Sequence, residues 1–141
     1  MSTLAEIEAR RAARKAGLAA QRDEQALVDL EAVDALECEH GDASVAVIRV
    51  PFSPGRVTCA VVRVPKPVEV RRYQDRVRPR GSDNALGDTA KAASELGMAC
   101  VVYPQGEALD ALVEALPGLP TQFGVEALQL SNGRADVEGK G

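Results

Sequence analysis

Tryptophan is absent from this chain of 141 residues, and all aromatic side chains together make up 3% of it, two Tyr and two Phe. Any core must therefore be assembled from Ala, Val and Leu. Histidine occurs once, as His40, which excludes the H-E-x-x-H zinc motif and any relay that needs two imidazoles. Cysteine is scarce and odd in number: Cys38, Cys59 and Cys100 are widely spaced and read as small buried thiols, not as a disulfide or zinc framework. No apolar run approaches the roughly 20 residues of a membrane span. The start, MSTLAEIEARRAARKAG, is charged throughout and lacks the apolar segment of a signal peptide, so the expected location is the cytoplasm. No phosphate-cradling glycine loop is present. PRGSDNALG has neither the Walker spacing nor a following Lys–Ser/Thr pair.

What is present is an ordinary globular balance, 45% apolar and 27% charged. The net charge of -4 is segregated along the chain. Residues 1–42 carry 5 basic and 10 acidic side chains, residues 56–80 carry 8 basic and 2 acidic, and residues 81–141 carry 3 basic and 9 acidic. A basic middle flanked by acidic ends fits charge complementarity within or between chains, or an anionic partner.

Residues 3–39 are dominated by Ala, Glu, Arg and Leu, all good helix formers. Ser2 or Thr3 can cap the start, and Glu6 stands where a capping box wants it. Gly17 is the weak point, and Gly41 is placed to close the helix. Residues 5–22 offer few large apolar side chains, so this stretch is expected to be exposed or partner-bound. Leu27, Leu30, Val33 and Leu36 recur every three residues as a drifting stripe, expected to dock on a core.

ASVAVIRV (43–50) and VTCAVVRV (57–64) are rich in β-branched residues and predict two strands of a hairpin, with PFSPGR as the breaker between them. Both faces of each strand are largely apolar, so the pattern leaves the register open. Either helices must cover the ribbon or another chain must pair with it. Self-association through the hairpin or the N-terminal helix is therefore expected.

Pro67 suits the first turn of a helix over 67–78 whose apolar face is Val70, Tyr73 and Val77. PRGSDN is a loop with Ser82 or Asn84 as the next cap. A helix over 85–98 follows, with Leu86, Ala90, Ala93 and Leu96 or Gly97 along one side. ACVVYP (99–104) reads equally as a buried strand or as that helix's end. Residues 106–116 form an amphipathic helix with Leu109, Leu112 and Leu116. PGLP is a turn, and residues 121–130 present Phe123, Val125, Leu128 and Leu130. The fold expected is α+β and mostly helical: a long N-terminal helix, one β-hairpin, then a bundle of three to four short helices. Its divisions are a helical arm over 1–41, a compact domain over 42–131 and a flexible tail over 132–141.

No catalytic constellation appears, and neither catalysis nor a cofactor or metal is expected. Cys38 and His40 lie two apart on a helix and point to different sides. The strongest local signal is the arginine run Arg71, Arg72, Arg76, Arg78 and Arg80. It can meet phosphates. Its one aromatic, Tyr73, falls on the apolar face, whereas single-strand binding wants exposed stacking rings.

The order of these features resembles the tail assembly chaperones encoded beside phage and prophage tail genes. The residues that carry the likeness are Arg63-Val-Pro65 at the hairpin's end, a Pro-start helix bearing Glu69, Arg72 and Tyr73, the segment Cys100-Val-Val-Tyr-Pro104, and a helix reaching Pro117-Gly-Leu. The likeness covers roughly 43–130. It implies a non-enzymatic factor in the host cytoplasm that binds the helical tape measure protein. Arg63, Arg71, Arg72, Arg76 and Tyr73 are the candidate partner-binding residues. The alternatives are a structural virion component, either a tail or a head-completion subunit, and, with less support, a nucleic-acid-binding accessory protein. No membrane partner is implied.

Overall fold

Thr3 opens the first helix through its side chain: Oγ1 accepts a hydrogen bond from Glu6 N at 3.2 Å. The helix, α1, runs from Leu4 to His40 and passes through Gly17 without a break. It stops at Gly41, whose φ of +92° is a conformation that other residues reach only with strain, and whose N–H donates to Glu37 O at 2.8 Å. The computed structural model describes residues 1–78 and 85–133. The expected caps Ser82 and Asn84, Arg80, the side chain of Leu86 and the tail from 134 onward lie outside the described residues.

A single 3₁₀ turn, Asp42–Ser44, leads into β1 (Val45–Arg49), which pairs antiparallel with β2 (Cys59–Arg63). Val45 stands opposite Arg63 and Arg49 opposite Cys59. After β2 come α2 (Pro67–Val77), α3 (Ala85–Cys100), β3 (Val101–Tyr103), α4 (Glu107–Ala115) and α5 (Leu119–Ser131). The architecture is the mostly helical α+β fold expected, with one addition. β3 joins β2 on the side away from β1 and makes a three-stranded antiparallel sheet in the order β1-β2-β3. ACVVYP is thus both things at once, with Cys100 ending α3 and the next three residues forming the strand. Such a short strand has no period of its own, and its pairing with Val61 and Val62 is set by tertiary contact.

The two apolar faces of the hairpin are now explained. On one face Ala46, Ile48, Ala60, Val62 and Val101 meet Leu96, Cys100, Leu112, Phe123 and Ala127 of the helices behind. On the other face Val45, Cys59 and Val61 meet Val33 and Leu36 of α1. β2, central and covered on both sides, has Ala60, Val61 and Val62 fully buried. The chain's own helices cover both faces of β2, while Val47 of β1 stays exposed.

α3 and α5 cross at closest approach through glycine. A β-carbon on Gly97 would fall on the carbonyl oxygen of Pro120, and one on Gly124 would fall on the carbonyl of Ala93. Phe123, the largest side chain that is fully buried, sits beside this crossing.

Four expectations about burial are corrected. Leu27 and Leu30 are exposed, at 69% and 63%, while Val33 is buried and Leu36 half-buried. A three-residue step turns a helix by about 300°, so each member falls back about 60°, and four members spread over half the circumference. One docking face cannot bury them all. Cys38 is exposed although Cys59 and Cys100 are buried, because it lies on the side of α1 away from the sheet. Val125 is exposed, and α5 buries Gly124 and Ala127 instead. Ala90 is exposed, the face of α3 against the core being Ala92, Ala93, Leu96 and Gly97. No helix among the described residues is long and apolar enough to cross a membrane.

Candidate binding surfaces

The expected partner-binding residues do not act as one set. Arg63 is engaged inside the chain. Its guanidinium meets Glu69 through two hydrogen bonds, 2.9 and 3.0 Å, and donates to the carbonyls of Ala99 at 2.8 Å and Val64 at 3.1 Å. Glu69 also accepts from Lys66 N at 2.8 Å, which caps α2 just ahead of Pro67. The Arg63 side chain is 18% exposed and that of Glu69 15%, so the pair is a staple between β2, α2 and α3. The hydrogen bond from Arg63, opposed by partial burial, holds the Glu69 carboxyl at about 2.

Tyr73 is half-buried against the larger core. Together with Glu69, Arg72, Arg76 and Glu95 it lines a hollow of about 80 Å³ between α2 and α3. Ligand pockets run to roughly 300–1,000 Å³, so this hollow suits waters, not a metabolite. Arg76 reaches across it to Glu95 at 2.6 Å, an exposed pair that contributes little stability. Arg71 and Arg72 are exposed and make no ion pair among the described residues.

The most elaborate polar arrangement involves Asp29, a residue outside the expected sites. It is 1% exposed in the middle of α1. Its carboxylate accepts from Gln25 Nε2 at 2.9 Å, Thr58 N at 2.6 Å, Thr58 Oγ1 at 2.5 Å and Tyr103 OH at 2.5 Å. Burial alone pushes its pKa up, but the hydrogen bonds from Thr58, Tyr103 and Gln25 together outweigh it, and the net shift is downward. Burial, and then this same contact, raises the Tyr103 phenol. One carboxylate thus joins α1 to the start of β2 and the end of β3. A sequence signal for it does exist: Asp29 shares a helix face with Gln25, Val33 and Leu36, the face that docks.

Beside this clasp a groove of about 760 Å³ opens between α1 and the hairpin. Ala26, Leu30, Val47 and Phe52 supply apolar walls, and Arg22 and Arg49 stand at its rim. Val47 is 45% exposed although it lies in a strand. Asp29 and Cys59 form part of its floor. The Asp29 oxygens are already occupied, and burial, then the nearby Asp29 charge, pushes the Cys59 thiol up to about 11, so it is neutral near pH 7. The groove therefore offers apolar contact and two cationic edges. Arg71, Arg72 and Arg76 do not line it. No group of three or more His, Cys, Asp or Glu among the described residues is placed to hold a metal ion. The chain matches no model of a protein family, no curated protein and no solved structure.

Proposed function

We propose that this protein is a non-catalytic assembly factor that holds an amphipathic helix of another protein, in the manner of a phage tail assembly chaperone holding its tape measure protein. The observation that carries the reading is the groove between α1 and the hairpin. It is open, with apolar walls at Ala26, Leu30, Val47 and Phe52 and a cationic rim at Arg22 and Arg49. A helix with an apolar stripe flanked by carboxylates fits such a surface: burial of the stripe supplies affinity, and the arginines supply orientation and encounter rate. Arg71 and Arg72, exposed on α2, act in this reading as outlying steering charges. The family likeness supports it through the segments Arg63-Val-Pro65 and Cys100–Pro104.

If a long helical protein is encoded beside this chain, co-expression with it tests the reading. Solubility of that protein should depend on this chain and should fall when Val47→Asp and Phe52→Asp are introduced together. If it is equally soluble with and without this chain, the chaperone reading fails and a structural role in the virion takes precedence.

A further inference from the structure

The two edges of the sheet differ. β3, at one edge, is three residues long and is stopped by Pro104, and its Val101 carbonyl accepts from Gln105 Nε2 at 3.3 Å. β1, at the other edge, is five residues long, and its register with β2 runs without a bulge. The bonds at its ends fix which way its backbone points. Val64 N donates to Ser44 O at 2.8 Å and Val50 N to Thr58 O at 3.1 Å, so Ser44, Ala46, Ile48 and Val50 turn their N–H and C=O toward β2. Val45, Val47 and Arg49 turn theirs outward, where no hydrogen bond meets them among the described residues. Native sheets blunt such an edge with a proline, a lysine or a bulge, and β1 contains none of these.

We infer that two copies of this chain join edge to edge, β1 antiparallel to β1, about a two-fold axis at Val47. Val47 then faces Val47 of the second copy, and Val45 faces its Arg49, so all three outward residues find partners in one register. Val47, 45% exposed in the single chain, gains its twin as cover. The charges beside the edge say why the occupant is a second copy. α1 runs antiparallel to β1: Val33 packs on Val45 at one end, and Asp29 bonds Thr58, next to the Arg49 end, at the other. Glu37, one turn beyond Val33, therefore stands at the Val45 end. Arg49 is exposed and Glu37 half-buried, and neither makes an ion pair among the described residues. The two-fold exchanges the ends, so Arg49 of each copy lies over Val45 of the other, beside that copy's Glu37. An edge of one sign would repel its own copy, whereas this one carries opposite charges at its two ends. The contact is isologous, and it closes at two copies. The inference does not rest on what the groove holds, and the purified chain alone tests it.

Sedimentation of the chain at high concentration should show a dimer that dissociates on dilution. Val47→Pro removes an outward N–H and no bond to β2, so it should weaken the dimer at least about tenfold while amide-exchange protection of β2 is retained. Arg49→Glu should weaken it as well, and Glu37→Arg added to Arg49→Glu should restore it. Disulfide trapping in a Cys38→Ser background reads the register. Val47→Cys should give a covalent dimer on oxidation, because directly paired residues stand about 5.5 Å apart at Cα, within reach of a disulfide. Arg49→Cys, about 13 Å from its twin along the strands, should give none. A monomer at every concentration, a dimer indifferent to Val47→Pro, or a covalent dimer through Arg49→Cys and not through Val47→Cys would overturn the inference.

Discussion

The hydroxyl of Tyr103 donates a hydrogen bond to the carboxylate of Asp29 across 74 positions of sequence, and this contact closes α1 onto the far edge of the sheet. Because Asp29 also serves Thr58 and Gln25, removing it leaves several buried groups without a partner. Asp29→Ala should cost about 3 kcal/mol in urea unfolding, whereas Tyr103→Phe should cost about 1–2 kcal/mol, since it removes one bond and keeps the packing. Equal stabilities for wild type and Asp29→Ala would show that α1 does not need the clasp.

Acid should weaken the fold through two carboxylates. The Asp29 and Glu69 carboxyls both titrate below their ordinary values in the folded chain, Glu69 at about 2. A depressed folded pKa means stability that is complete above the unfolded value and lost as pH falls through the folded one. Unfolding free energy should therefore decline from about pH 4.5 toward pH 2, and Glu69→Gln should flatten part of that decline. An acid limb of unchanged slope in Glu69→Gln would remove the Arg63 staple from the explanation.

Thiol chemistry should separate the three cysteines. Cys38 is exposed. Burial pushes Cys59 and Cys100 each up to about 11. A thiol reagent at neutral pH should modify Cys38 quickly and the other two only on unfolding. Three equal rates in the native protein would contradict the two-sided burial of β2.

The glycines of α3 and α5 should not tolerate a methyl group. Gly97→Ala and Gly124→Ala each place a β-carbon on backbone atoms of the neighbouring helix and should destabilise by about 3 kcal/mol. Gly17→Ala, with open space around the position, should instead raise helicity and stabilise α1 by about 0.5–1 kcal/mol. Circular dichroism and chemical denaturation read both effects.

Removing residues 1–17, all exposed, should leave the body's unfolding midpoint nearly unchanged. A marked loss of stability on truncation would place the arm within the folding unit.

Local chemistry made much of this fold legible. Thr3 with Glu6, Gly41 and Pro67 mark helix ends because capping is a short-range affair, and the hairpin strands announce themselves by β-branched density. Register and burial depended on partners far away in the chain. β3 is defined by Val61 and Val62, Asp29 by Thr58 and Tyr103, and the exposure of Leu27 by which face of α1 meets the sheet. The arginine run stood out by density alone. Arg63 turned inward because the start of α2, after the Pro65-Lys66 link, brings Glu69, six residues on, back against it, a geometry that spacing does not reveal.

At 37 residues, α1 is about 55 Å long, yet its polar anchorage to the sheet is at Asp29. Leu4 lies about 37 Å from that fulcrum along the axis. A tilt of about 10° at Asp29, small enough to keep a side chain in its well, would sweep the tip by about 6 Å. The helix is therefore a lever whose short arm lies in the smaller of the two cores. Loss of the proton-sensitive carboxylate at its pivot would be felt most at the end farthest from it.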